Sequence, residues 1–241
     1  MISLRYTHLA GLLVGLFLLF PSTANAQVSG GADFMSRYVF RGLDFGESMS
    51  AQPYLEYTSG GFTVGTWASY AFEAGGANEH DIYVSYANGP FEVGVTDYYF
   101  PTPSPGANAG AQFFNFDSGT SGHLIEPYVA FTGTDAVPLS LSVYVNALAS
   151  DATDPDNSFY IEAGYSTMVS DVGLDFAAGF VPQESGWYQT GAPTFINFSM
   201  TASKSVEITD SFSLPLMVQY ALNPTPDAER TFLVFGTGLS F

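Results

Sequence analysis

The chain has no cysteine, which excludes a disulfide framework, a lipid-anchored cysteine and a thiolate metal site. Basic residues are almost as scarce. Five lysines and arginines stand against 23 aspartates and glutamates in 241 residues. One of the five, Arg5, lies among the first 26 residues, so the rest of the chain carries only Arg37, Arg41, Lys204 and Arg230. So acidic a surface disfavours nucleic acid and anionic headgroups as direct partners. Charge of either sign is thin at 12 % of residues, about half the share of an ordinary soluble domain. Beyond the N-terminus no apolar run approaches the ~20 residues of a membrane-spanning helix, which excludes a helical membrane protein.

What the chain has is a leader, aromatics and glycine. Arg5 and His8 precede "LAGLLVGLFLLF", and "PSTANA" follows with Ala24 and Ala26 in the small-x-small positions of a cleavage site. This reads as a secretory signal peptide over 1–26, with 27–241 as the exported domain. Aromatics reach 16 % and glycines number 25. That combination with so little charge suits a wall with lipid on its outside.

Alternation with period two recurs along the whole domain. In "RTFLVFGTGLSF" Leu233, Phe235, Thr237, Leu239 and Phe241 share one face, with Gly236, Gly238 and Ser240 on the other. "FTVGTWASYAF" and "LSLSVYVNALA" repeat the pattern. The expected strands are 28–41, 49–58, 62–72, 80–87, 91–100, 122–132, 138–149, 158–167, 173–181, 194–203, 212–221 and 230–241. Short turns ("SGG", "NGP") follow the even ones, and longer, irregular loops mostly follow the odd ones. This predicts an all-β fold, a closed antiparallel transmembrane β-barrel of about twelve strands, with ten or fourteen as the neighbouring even counts. A soluble β-sandwich also alternates, but it does not explain aromatics at the strand ends. Phe62, Phe91, Phe212 and Phe241 gather at the short-turn end, and Tyr70, Phe72, Tyr98, Tyr99, Phe100 and Trp187 at the long-loop end, as two interfacial girdles would.

The terminal Phe241, with Leu239, Phe235 and Leu233 before it, resembles the C-terminal signature of bacterial outer-membrane barrels. That resemblance implies an assembly signal read by the barrel-assembly machinery and a location in the cell outer membrane. It also sets those four residues toward lipid. By parity Phe34, Tyr38 and Phe40 then face lipid. The lumen receives Asp33, Glu56, Asp81, Glu92, Glu126, Glu162 and Asp175, with Arg37, Arg41 and Arg230 against them. An arginine on the lipid face near the midplane would cost about 2–4 kcal/mol. The arginines either form a positive patch across a pore or brace a narrow barrel through salt bridges.

The segment "SRYVFRGLDFGESMSAQPYLEY" resembles the start of the TorF-family putative porins, in which a strand ending in aromatic-Arg-Gly leads through a polar turn into a second strand. Phe40, Arg41 and Gly42 carry the match. The resemblance implies a porin-like role without an established substrate. No cofactor and no enzymatic activity are expected from the residues themselves.

Catalytic readings find little support. His80 adjoins Asp81, whose side chain points to the opposite face of a strand. His123 has Ser118 and Ser121 nearby in a long loop. The acidic loop Asp151 to Asn157 lacks the glycine and terminal Glu of a calcium loop, so no metal site is expected. The partners expected are outer-membrane lipid, lipopolysaccharide through bridging divalent cations, and small solutes. "QFFNF" of the longest loop either plugs the mouth or lies over the rim as an adhesive surface. Two functions stay open, a channel for small polar or cationic solutes and a non-conducting barrel whose loops bind a partner.

Overall fold

The period-two segments pair in chain order and close on themselves. The computed structural model describes residues 27–73, 76–101, 112–116, 121–149, 154, 156–210, 212–225 and 231–241; the expected signal peptide, Ser118 and Arg230 lie outside them. The elements are β1 (Gln27–Met35), β2 (Val39–Phe40), β3 (Leu43–Asp44), β4 (Ser50–Ser59), β5 (Phe62–Ala71), β6 (Asn78–Asn88), β7 (Phe91–Tyr99) and β8 (His123–Phe131). They continue as β9 (Leu139–Val145), β10 (Leu148–Ala149), β11 (Phe159–Val169), β12 (Val172–Val181), β13 (Thr194–Thr209), β14 (Phe212–Leu222) and β15 (Thr231–Ser240).

The wall runs β8, β7, β6, β5, β4, β1, β15, β14, β13, β12, β11, β9 and back to β8, antiparallel throughout. After a break at Asn146 and Ala147, β10 continues the β9 strand and pairs again with β8. The ring closes where β1 meets β15, from Gly31 opposite Ser240 to Met35 opposite Gly236. The result is a closed twelve-stranded antiparallel barrel with no open sheet edge along its wall.

The two faces separate cleanly by chemistry. Leu55, Ile82, Val93, Val129, Leu141 and Leu233 point outward, each with about half its surface exposed. So extensive an apolar exterior suits hydrocarbon rather than water. At the short-turn end Phe91 packs on Phe131 and Phe62 on Tyr86, and Phe241 is 83 % exposed. On the inner face tyrosines lie flat across glycines of the neighbouring strand. A Cβ at Gly65 or Gly94 would run into the ring of Tyr83 or Tyr128, its cross-strand partner.

The buried core sits inside the barrel, in its long-loop half. One cluster joins Leu43, Tyr160, Val181, Tyr188 and Ile196, and the other Ala221, Phe232 and Val234. It exists because the first strand is shorter than the alternation implies. The expected strand 28–41 leaves the wall after Met35, and residues 36–49 turn into the lumen around the small hairpin β2–β3. Its tip is Arg41–Gly42, both with positive φ (51° and 78°), the backbone that a two-residue type I′ hairpin turn requires. Tyr38 and Phe40, expected to face lipid, are therefore inside. Tyr38 packs on Trp67 and Phe45, and Phe40 on Tyr98. Period two cannot distinguish a wall strand from an apolar hairpin that packs on both of its faces.

The outer girdle is revised for the same reason. Tyr70 and Phe72 are exposed, but Tyr98 faces the lumen, and Trp187 packs inward on Phe45 and Phe100.

Candidate functional site

The hairpin meets the wall right round the lumen. The Tyr38 hydroxyl donates to Glu79 of β6 at 3.3 Å. The Arg37 guanidinium pairs with Asp44 at 2.9 Å and lies over the Phe232 ring of β15. At the tip, the Gly42 carbonyl accepts from Asn223 Nδ2 at 3.0 Å. A Cβ at Gly42 would collide with the Ile196 carbonyl of β13, so only glycine seats the tip this closely.

Arg41 reaches across to β8. Its Nη1 and Nη2 donate to the two carboxylate oxygens of Glu126 at 2.6 and 2.9 Å, and Nη1 also donates to the Tyr188 hydroxyl at 2.6 Å. The Tyr98 hydroxyl donates to Glu126 Oε1 at 3.0 Å, holding that carboxylate from the β7 side. The guanidinium carbon lies 4.1 Å from the ring centre of Tyr144 and 4.5 Å from those of Tyr160 and Phe40, within cation–π range. Side-chain exposure falls to 7 % for Arg41 and 2 % for Glu126. A forked, charge-assisted pair on aromatic walls, screened from water, is a strong and oriented contact.

This contact divides the lumen. On its long-loop side, between Arg41, Glu126, Tyr98 and Trp187, a cavity of about 10 Å³ remains, about the room of one water. Toward the short-turn end the space widens. A cavity of about 400 Å³ lies under Arg41 and is lined by Tyr144, Glu162, Asp175, Asn197 and Gln219. A second, also about 400 Å³, lies beside Asp33, Gln52 and Met217. The interior is thus a polar well, blind at the hairpin.

The acids of the lumen set are carried on inward-facing positions. Asp33, Glu162 and Asp175 line the well. Glu56 accepts from Tyr83 at 2.7 Å, Glu92 from Tyr128, and Glu162 from Tyr160 at 2.7 Å. Asp81 is buried near Glu79 on β6. Arg37 and Arg41 are inside too, but on the hairpin rather than on a shared strand face, because the chain turns between them. Neither forms an open positive patch, since each is paired within the hairpin or across it. The residues that sequence reasoning missed are Glu79, Tyr98, Tyr144, Tyr160 and Tyr188. Parity alone exposes the strand residues among them, but Tyr188 comes from the loop 182–193, where no period operates.

The histidines lie elsewhere. His123 is on the outer face of β8, its Nδ1 at 2.8 Å from Asp97 and its Nε2 at 2.6 Å from the Phe113 carbonyl. Both ring nitrogens are taken by oxygens, and the Ser121 hydroxyl accepts from the His123 backbone N–H at 3.0 Å. The described part of "QFFNF" packs over this pair, with Phe116 stacked on His123 and Phe113 against Tyr99. It therefore lies outside the wall and does not plug the mouth. In the acidic loop, where only Asp154, Asp156 and Asn157 are among the described residues, Asp154 is buried and taken up by Asn146 and Ser158. No cluster able to hold a metal occurs among the described residues.

A family model described as a bacterial protein of unknown function (Gcw_chp) matches residues 21–221. No curated protein matches the chain. Among solved structures it is similar to a KdgM porin, with a TM-score of 0.47 and 12 % identity over 88 % of this chain and 99 % of that one. It is also similar to the COG4313 outer membrane channel from Pseudomonas putida F1, with a TM-score of 0.45 and 12 % identity over 92 % and 96 % of the two chains.

Proposed function

Since the chain belongs to the Gcw_chp family of bacterial proteins, whose function is unknown, we propose on its geometry that it is an outer-membrane channel for small polar or cationic solutes, closed here by the inward hairpin. The observation that carries this is the acid-lined well that fills the short-turn half of the barrel and stops at Arg41. A low-dielectric wall focuses the field of fixed carboxylates and raises the local concentration of cations. The apolar exterior and its aromatic ends support placement in a bilayer. Residues 1–26 would supply export, and the barrel-assembly machinery would read Phe241. The resemblance of the first strand and turn to TorF-family putative porins agrees with this reading. Both ring nitrogens of His123 are engaged, by Asp97 and by the Phe113 carbonyl, which agrees with passive passage rather than catalysis at that histidine.

Planar-bilayer recordings test the proposal. The wild type is expected to conduct in brief or small openings, with reversal potentials across a salt gradient that favour cations. Anion preference would refute the role of the acids as pore lining.

A second reading has one observation in its favour. The Arg41–Glu126 pair is buried and closely satisfied, as suits a permanent brace. The barrel would then be non-conducting, and its surface loops, with Phe114 at 88 % exposure, would bind a partner or lipopolysaccharide. Absence of current both in the wild type and in a chain lacking the hairpin would select it.

A further inference from the structure

We propose that the wall residues around Arg41 form a receptor for guanidinium-bearing solutes, and that Arg41 is a tethered ligand filling it until such a solute displaces the hairpin tip. The inference rests on the channel reading above and names its solute class.

The receptor is complete without the hairpin. Glu126 comes from β8, Tyr98 from β7, Tyr144 from β9, Tyr160 from β11 and Tyr188 from the loop after β12; only Phe40 belongs to the hairpin itself. Together they offer what a planar cation needs. The Glu126 carboxylate meets the guanidinium edge-on through two parallel hydrogen bonds, the Tyr188 oxygen takes a further N–H, and two tyrosine rings supply faces. Tyr98 fixes the carboxylate in advance. A primary ammonium satisfies the charge but not the fork, so the site discriminates between the two cations.

Exchange is built into the tip. Arg41 holds φ at 51°, a left-handed backbone that non-glycine residues seldom adopt. That strain belongs to the type I′ turn, so it is released where the turn opens as the tip withdraws, and it then offsets part of the lost contact. A route to the site is present as well. Arg41 and Tyr144 also line the cavity of about 400 Å³ that belongs to the well, and that volume is within the range that accommodates small ligands. The acids of the well draw cations toward it. Because Arg41 is tethered, it competes at an effective concentration on the order of millimolar or higher. Free solute therefore displaces it only at comparable levels, whereas an emptied site binds more tightly.

Titration calorimetry on the full barrel in detergent tests this, with agmatine as the guanidinium probe and cadaverine as a diamine of similar length without one. Arg41→Ala is expected to bind agmatine at least about tenfold more tightly than the wild type. It should also prefer agmatine to cadaverine by about tenfold or more, and adding Glu126→Gln should abolish the binding. Folding of each variant is read from its heat-dependent gel mobility. If Arg41→Ala does not fold, Arg41→Lys keeps a charge opposite Glu126 and is expected to give the same order with a smaller gain. A folded variant that binds agmatine no better than the wild type, or binds both probes alike, overturns the proposal. The titration needs no current, so a barrel that binds agmatine but never conducts would sink the channel reading and leave the receptor standing.

Discussion

At the scale of the residue, Arg41 and Glu126 hold the interior together. Two opposite charges removed from water gain little against an apolar pair, yet stranding either one is expensive. Glu126→Ala leaves the Arg41 guanidinium buried with only the Tyr188 oxygen and ring faces. It is expected to lower unfolding free energy by about 3–5 kcal/mol, measured by denaturant titration of the folded barrel in detergent. Arg41→Met combined with Glu126→Leu should cost clearly less than that single change, because no charge remains unpaired. Equal losses would assign the destabilisation to packing instead. Gly42 makes a second test. With φ at 78° and the Ile196 carbonyl against it, Gly42→Val should cost about 1–3 kcal/mol of local backbone strain. The hairpin, and not the wall, should then become sensitive to protease.

At the scale of the element, the segment 36–49 is separable from the barrel. Only its two ends join the wall, the Ser36 N–H donating to the Phe235 carbonyl and the Met49 carbonyl accepting from the Phe72 N–H; the wall ladders, including β1 with β4 from Gln27 opposite Thr58 to Met35 opposite Ser50, use none of the backbone between them. The hairpin pairs only with itself, Val39 opposite Asp44 and Phe40 opposite Leu43. Replacing residues 38–45 by a short polar turn should therefore leave a closed barrel and join the well to the outside. The expected result is a several-fold larger single-channel conductance with heat-dependent gel mobility retained. Unchanged conductance would place the constriction elsewhere, and loss of the folded band would show that the hairpin core is needed to close the wall. Phe40 and Tyr38 are informative here. They occupy the same alternation as Phe34, yet the turn at Arg41–Gly42 carries them inward.

At the scale of the whole molecule, closure replaces the core that a soluble domain would use. Every wall strand has two neighbours, and the seam between β1 and β15 extends to reciprocal backbone bonds between Gly30 and Phe241. A closed ladder offers no edge at which to open, so the folded and boiled chains should migrate differently in detergent gels. Recovery of the exported chain as a soluble periplasmic species would overturn the membrane placement. Phe241, 83 % exposed beside that seam, contributes little to packing. Its deletion should leave the purified barrel able to refold while sharply reducing assembled protein in cells. Equal loss in both settings would make its role structural rather than one of recognition.

Period-two patterning and the parity of loop lengths were enough to reach an antiparallel barrel of about twelve strands, because in a thin wall each side chain faces either lipid or lumen. The alternation marks that choice residue by residue. Asp33, Glu56, Glu162 and Asp175 lie on the lumen side for this local reason, and Leu233, Phe235 and Leu239 lie outside for the same reason. The fate of residues 36–49 was not legible in that way. "RYVFRGLDF" alternates as a wall strand does, and Arg41–Gly42 becomes a turn only because Glu126, Tyr188 and the rings of Tyr144 and Tyr160 wait on distant strands to receive it. Whether an alternating segment extends the wall or fills the lumen depends on which cavity its side chains complete, and that cavity exists only after the barrel has closed.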